Sequence, residues 1–379
     1  MRETIFLTGA TGIVGCEIVR TLLRSPECPA LVALVRGSEK EVAAKQRWLR
    51  RWAAVEPEAA ARLEVVRGDV TLPRLGLSES DRARLAPVTT IIHAAAVTRF
   101  DQSAETASLN NVASTAHVIE LARSLPALER VGMVSTAYVA GRRSGTILED
   151  DLDLAVPFNN EYERSKAIAE CAVRQAMADL PMTILRLSIV VGRREDGRVA
   201  RLSGVYPIFR LFHQGLLSMF PGDADQHLDL IPSDFAAAAI CHLTGSGFTA
   251  GRTLHVCAGR ERSLSLTELF PAIAELLRAA DGEWARRGQP LPIAVARDVF
   301  EEFAGLVSLT GHPRLRRIVE QTQMVTRMLD TPRVFDTSRF QVSLAKSSTL
   351  ELDHARRWLA PVVSHGVATG WQQPRRGVA

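Results

Sequence analysis

The chain has 379 residues, which calls for one large domain or two closely joined ones. Hydrophobic residues make up 46% and charged residues 23%, which excludes a disordered chain and describes an ordinary soluble globular protein. The 46 basic and 42 acidic residues leave a net charge of +4, too small an excess to point to nucleic acid and compatible with anionic ligands.

The first predicted element is the apolar run Ile5-Phe6-Leu7, which reads as a buried parallel strand. It enters the turn Gly9-x-x-Gly12-x-x-Gly15, and EIVRTLLR follows with helical spacing of its apolar positions. Strand, glycine turn and helix together are the context of a dinucleotide fingerprint. Gly9 would make the tight turn, Gly12 would let backbone approach a pyrophosphate, and Gly15 would let helix and strand pack closely. The helix N-terminus would favour the anion. An ordinary glycine turn is the plain alternative.

The second strand, LVALVRG over residues 31–37, ends at Arg36. A site that prefers NADH usually has an acidic side chain here, to hold the ribose hydroxyl. A guanidinium suits a 2′-phosphate instead, so NADPH is the expected cofactor. A solvated arginine at a strand end is the alternative. Further strand-like runs are LEVVRGDV, TTIIHAAAV, RVGMVSTAYV, MTILRLSIVVG and TLHVCAG, with helical stretches between them. The alternation predicts an α/β fold, a Rossmann-type doubly wound parallel sheet with helices on both faces. ASTAHVIELARSL and EYERSKAIAECAVRQAMADL are the clearest helices, closed by Pro126 and Pro181.

After Gly192 the texture changes. GRREDGRVARLSG reads as a loop, and VYPIFRLFHQGLLSMFPG as aromatic packing of a smaller domain or, less simply, a tunnel wall or membrane-surface contact. LDLIPSDFAAAAICHL resumes a helix and leads to the last strand. Beyond about residue 262 the chain is mostly helical and Arg-rich, as in HPRLRRIVEQTQMVTRML. Such a run is usually a solvated helix face and could also meet an acidic carrier protein. These shifts predict an NADP-binding domain over 1–194 and 228–261, and a smaller, mostly helical, discontinuous substrate-binding domain over 195–227 and 262–379.

Cys16, Cys28, Cys171, Cys241 and Cys257 are scattered and odd in number, which suits a reduced, cytoplasmic setting. The nine histidines show no metal-ligand spacing, so no metal is expected. No apolar run reaches membrane-spanning length, and a signal peptide is not expected.

Tyr162 and Lys166 sit four apart in NEYERSKAIAE, so on a helix they share a face. A free Tyr has a pKa of about 10. A neighbouring ammonium favours the phenolate and would draw that pKa down, which makes Tyr162 a candidate acid or base for a carbonyl oxygen. A plain surface pair is the alternative. Thr136 ends the strand RVGMVST, where parallel sheets bind ligands, and would bond the substrate oxygen. Ser135 is the second candidate, and a hydroxyl that merely caps a loop is the alternative.

TGATGIVG, GDV at 68–70, HAAAVTRFD at 93–101, NVAST at 111–115, STAYVAG at 135–141 and YERSK at 162–166 together resemble the extended short-chain dehydrogenase/reductases over roughly residues 1–260. The resemblance implies a catalytic trio of Thr136, Tyr162 and Lys166, with Lys166 on the nicotinamide ribose as well. It implies a cofactor site of Gly9, Thr11, Gly12, Ile13, Gly15, Arg36, Asp69, Val70, Ala94 and Ser188, with Asp69 and Val70 flanking the adenine. GDVTLPRLGLS, VTRFD and VSTAYVAG are similar to the branch of thioester reductases and fatty acyl-CoA reductases. That branch implies NADPH-dependent reduction of an acyl thioester to an aldehyde, sometimes onward to an alcohol. The acyl group would arrive on coenzyme A or on a separate acyl or peptidyl carrier. Ser114 and Leu187 depart from the usual Gly and Pro of the pattern. Two other readings stay open: an extended-family ketone or sterol-type dehydrogenase or nucleotide-sugar epimerase, and a nucleotide-sensing regulator. Ala137 and Tyr138, in place of acidic residues after Thr136, argue against a sugar dehydratase.

Overall fold

The structure, a computed structural model, describes residues 3–26, 29–223, 225–326, 331–345 and 350–373. Cys28 lies outside the described residues, and Cys16, Cys171, Cys241 and Cys257 are free thiols.

Short aliphatic runs bounded by polar or glycine turns become strands because both sheet faces are covered. In chain order the principal elements are β1 (Thr4–Thr8), α1 (Ile13–Arg24), β2 (Ala30–Val35), α2 (Glu39–Ala53), β3 (Leu63–Arg67) and β4 (Thr90–His93). Then come α3 (Ser114–Ser124), β5 (Arg130–Thr136), α4 (Glu161–Ala176), β6 (Met182–Leu187), α5 (Ser233–Thr244) and β7 (Arg252–Val256). These strands form one seven-stranded sheet in the order β7-β6-β5-β4-β1-β2-β3. Every neighbouring pair is parallel. The order reverses between β1 and β4, the switch point where such sheets open a crevice.

Helices α1 and α5 cover one face of the sheet, and α3 and α4 cover the other. The apolar stripe of α1 (Cys16, Ile18, Val19, Leu22, Leu23) is buried. Buried Trp52 on α2 donates from Nε1 to Glu17 Oε1 at 2.8 Å, which ties α2 to α1.

The run LDLIP, expected to begin a helix, instead holds a short strand, Leu230–Pro232, beside Ile189–Val191. Helix α5 starts after it, because Pro232 can open a helix but not continue one. The aromatic stretch after residue 204 is a core element: Tyr206, Ile208, Phe209, Leu211 and Phe212 are buried. Phe270 of α6 (Leu266–Ala280) meets Phe212 with ring centroids 5.4 Å apart, α7 (Arg297–Leu309) packs on α8 (Pro313–Thr326), which packs on the aromatic element, and α9 (Ala355–Ala368) packs on α6. The late chain also returns to the first half: Arg333–Phe335 pairs with Gly145–Ile147 in a separate two-stranded sheet, and Glu149 accepts from the backbone amides of His255, on β7, and Arg339.

Candidate active site

The loops at the carboxyl ends of β1 to β6 enclose a cleft of about 460 Å³. Gly9, Thr11, Gly12, Ile13, Gly15, Arg36, Asp69, Val70, Ala94, Thr136, Tyr162, Lys166 and Ser188 all line it, so the fold brings the whole set of sequence candidates together.

At one end the wall is backbone. Gly9 sits at φ +74°, and a Cβ there would lie 2.5 Å from the carbonyl of Ala94. A Cβ on Gly15 would lie 2.1 Å from the Gly9 oxygen, so only glycine lets α1 start this close to β1. Gly12 caps α1 with no side-chain hydrogen bond, which leaves the first-turn amides open toward the cleft. A bare, positively polarised helix start inside a glycine cradle is what a pyrophosphate requires. Arg36, 70% exposed, stands at the rim with Nη1 3.6 Å from Asp69 Oδ2. Lys45 of α2 lines the same end and donates from Nζ to the Arg36 carbonyl at 2.5 Å. Sequence reasoning missed Lys45. Its signal was a cation nearly two helix turns inside α2, the helix that follows β2.

At the other end the wall is side chain. Thr136 ends β5, and Tyr162 and Lys166 lie on the first turns of α4, which Asn160 starts by capping the Glu163 amide at 2.9 Å. Thr136 and Tyr162 line the cleft together, and Thr136 Oγ1 accepts from the Tyr138 amide at 3.2 Å. Lys166 is buried, and its Nζ donates to the Val134 carbonyl at 2.9 Å.

The expectation that Lys166 draws the Tyr162 pKa down is corrected by the structure. Tyr162 is half-buried along the cleft wall, and loss of solvent pushes its pKa up to about 12. The Thr136 hydrogen bond pulls the other way, and the Glu163 charge adds to the rise. Desolvation outweighs the remaining opening to the cleft, because the Lys166 ammonium is engaged with a carbonyl of β5. Burial also lowers Lys166 to about 8, partly offset by the charge of Glu170. Tyr162 therefore keeps its proton at neutral pH and is set as an acid.

Ser135, the second candidate, turns away from this role. Its Oγ donates to Glu170 at 2.5 Å, and Glu170 is paired with Arg186 of β6 at 2.7 Å with both side chains fully buried. His93, beneath Lys166, bonds Thr8 Oγ1 at 2.7 Å and stays neutral, since burial and the Lys166 charge hold it near 3. Asn111, given no role by the sequence reading, lies in an irregular helical turn, Ser108–Ala113. It bonds the Val97 amide at 3.0 Å and Ser165 Oγ at 2.8 Å, which ties the loop after β4 to α4. Ser114, the first residue of α3, donates to the Asn110 carbonyl of that stretch at 2.6 Å. No group of three or more potential metal ligands occurs among the described residues.

A 3-2-1-4-5-6-7 parallel sheet, a glycine turn at its switch point and a Thr-Tyr-Lys set on β5 and α4 define an extended short-chain dehydrogenase/reductase of the thioester-reductase type. The family described as male sterility protein, an NAD-binding family, matches residues 7–240, and the chain belongs to it. It is an oxidoreductase, and the cradle fits a nicotinamide dinucleotide. Fatty acyl-CoA reductase wat of Drosophila melanogaster is 28% identical over 272 residues, which cover 62% of this chain and 53% of that protein. N-benzoylphenylalaninol synthetase apmA of Penicillium brevicompactum is 30% identical over 215 residues, 52% of this chain and 9% of that protein. The chain thus spans about half the length of the fly relative and a small part of the fungal one. Among solved structures, the terminal R domain from the myxalamid PKS-NRPS biosynthetic pathway superposes with a TM-score of 0.78 at 25% identity. That match covers 98% of this chain and 92% of that one. No helix among the described residues is long and apolar enough to cross a membrane.

Proposed function

We propose that this chain reduces an acyl thioester to an aldehyde with NADPH as the donor, and that Thr136, Tyr162 and Lys166 are its catalytic residues. The observation that carries the reading is the convergence of the Thr136 and Tyr162 hydroxyls and buried Lys166 on one wall of the cleft at the strand ends. That arrangement suits a carbonyl oxygen. The likeness to an acyl-CoA reductase and to a terminal R domain favours a thioester over a ketone.

NADPH, when bound, supplies the hydride that forms the new C–H bond at the thioester carbonyl carbon. The π-electrons of the C=O bond move to oxygen, where charge develops. Thr136 and Tyr162 hold that oxygen with two O–H groups, and Tyr162 gives it a proton. The resulting hemithioacetal breaks its C–S bond, the thiol departs, and the aldehyde remains. A second cycle on the aldehyde would yield an alcohol. Lys166 would bond the nicotinamide ribose, and its charge would stabilise the phenolate left on Tyr162 until a proton is taken up from solvent.

Gly9, Thr11, Gly12, Ile13 and Gly15 would cradle the pyrophosphate, while Arg36 would hold the 2′-phosphate. Asp69, Val70, Ala94 and Ser188 complete that proposed cofactor set. We assign dinucleotide binding to 1–194 and 228–261, and substrate binding to 195–227 and 262–379. The entry of Arg201 and Ser203 into the cleft wall supports this division. The acyl group would arrive on coenzyme A or a carrier protein, in the cytoplasm.

The test follows NADPH absorbance with purified protein and acyl-CoA, carrier-bound acyl thioester, aldehyde and ketone in turn. Oxidation with thioesters is expected. Oxidation with ketones alone overturns the reading.

A further inference from the structure

Lys166 is buried, and a buried ammonium needs an opposite charge. Its Nζ donates to the Val134 carbonyl at 2.9 Å and makes no ion pair among the described residues. A carbonyl dipole alone is a weak counterpart. Two buried carboxylates stand close by on α4, Glu163 and Glu170.

Glu163 is engaged elsewhere. It accepts from the Asn159 amide at 3.0 Å and from the Asn159 side chain at 3.1 Å, at the start of α4, and the cation that acts on it is Arg333. Glu170 comes four residues after Lys166, as Lys166 comes four after Tyr162, so the three share one face of the helix. Lys166 and Glu170 also engage consecutive residues of β5. Lys166 takes the Val134 carbonyl, and Glu170 takes the Ser135 hydroxyl at 2.5 Å. Arg186 of β6 holds Glu170 from the other side, with Nη2 2.7 Å from Oε2 and Nε 3.1 Å from both oxygens. Arg186 is itself pinned by the carbonyls of Glu149 and Asp151, at 3.1 and 2.8 Å. The carboxylate therefore cannot swing, and its charge stands one helical turn from the ammonium. The other titratable groups around Lys166 are His93 of β4, which stays neutral, and Tyr162 on the cleft wall, which keeps its proton. The charge of Glu170 works against burial at Lys166.

Resting on the catalytic role proposed above for Lys166, we propose that Glu170 is a positioning residue for the reaction: fixed by Ser135 and Arg186, it is the counter-charge that keeps Lys166 an ammonium. Glu170 does not line the cleft and acts only through Lys166. Ser135 has a part in this too, as the donor that holds Glu170 and not as a donor to the substrate oxygen.

The test is the alkaline limb of kcat at saturating NADPH, read on whichever carbonyl compound the enzyme reduces. In the wild type that limb is expected near pH 8. Glu170→Gln, nearly isosteric, takes away the negative charge and leaves Arg186 positive, so the limb should move down by about one pH unit or more. Turnover should then lie within about twofold of the wild type at pH 6 and about fivefold or more below it at pH 8. Glu163→Gln should leave the limb in place. A purely structural Glu170 would instead lower turnover equally at every pH. A limb unmoved in Glu170→Gln, or moved as far by Glu163→Gln, overturns the inference. Should Glu170→Gln not fold, Glu170→Gln/Arg186→Met removes both charges and leaves no buried guanidinium uncompensated. Its limb should still lie below that of the wild type, and a limb at the wild-type pH overturns the inference. A wild type with no alkaline limb removes the catalytic role of Lys166 and this inference with it. A wild type that reduces ketones alone removes the thioester reading and leaves the Glu170 result standing.

Discussion

At the glycine end of the cleft a bound molecule meets backbone: the Gly9 turn, the open amides that begin α1, and a rim of Arg36 and Lys45. At the Tyr162 end it meets side chains held by two strands and a helix, through Val134 and Thr136 of β5, Glu170 of α4 and Arg186 of β6. The first end depends on seven consecutive residues and what they lack, a Cβ. The second depends on residues far apart in sequence and what surrounds them. Damage should therefore separate: the glycine end governs affinity for the cofactor, and the Tyr162 end governs turnover and fold stability.

Tyr162→Phe is the largest expected effect. It removes the proton donor and keeps the ring against Phe100. Turnover should fall by roughly 10²- to 10⁴-fold, the usual worth of a general acid, while NADPH affinity measured by fluorescence titration stays within twofold. Equal losses in both would merge the two ends and reassign the acid.

Glu170→Ala tests the support behind Lys166. It strips a fully buried carboxylate from Arg186, which then has a buried charge with no counterion, and it frees Ser135. The expected loss is about 3–5 kcal/mol of unfolding free energy by urea denaturation. A loss under about 1 kcal/mol would mean that Arg186 is carried by its carbonyl bonds to Glu149 and Asp151 alone.

pH separates activity from stability at the same residue. Lys166 is lowered to about 8 from an ordinary 10.5, so its ammonium is full below pH 8 and lost as pH rises through it. Turnover should fall about fivefold from pH 8 to pH 9. Between 8 and 10.5 the unfolded chain holds a proton that the folded chain has released, so the Lys166 contribution to stability rises with pH. Opposite slopes in activity and in unfolding free energy mark this group, since Tyr162, near 12, keeps its proton throughout. In Lys166→Arg the activity limb near pH 8 should vanish.

How much of this was legible follows the same division. The strand-turn-helix of residues 4–24 could be read because its signal is local and its physics is steric. The Tyr162–Lys166 pair could be read because four residues is one helical turn, and Thr136 because parallel strands present their carboxyl ends to ligands. The sign of the Tyr162 shift could not. It depends on how much protein packs around one phenol, and on Val134 engaging the ammonium. Glu170 and Arg186 are 16 residues apart and meet only because β6 lies beside β5. A second cavity, lined by Phe100, by the loop that leads into α4 and by Glu320 of α8, could not be read either, since Glu320 comes more than 150 residues after Tyr162.

Arg36 and Lys45 give the smallest and sharpest contrast. Arg36 is mostly exposed and its bond to Asp69 is long, so it adds little to the fold and is free to turn toward an anion. A charge-assisted contact to a 2′-phosphate is worth about 1.5–3 kcal/mol. Arg36→Ala should therefore weaken NADPH about tenfold or more and leave NADH within twofold. Lys45 reaches the same rim from α2 but spends one hydrogen bond on the Arg36 carbonyl, so Lys45→Ala should cost NADPH only a few-fold. Neither change should move kcat at saturating NADPH or the melting temperature by more than a degree or two. Equal losses for NADPH and NADH would show that the rim reads the pyrophosphate and not the 2′-phosphate, and the cofactor preference would then have to come from another part of the cleft.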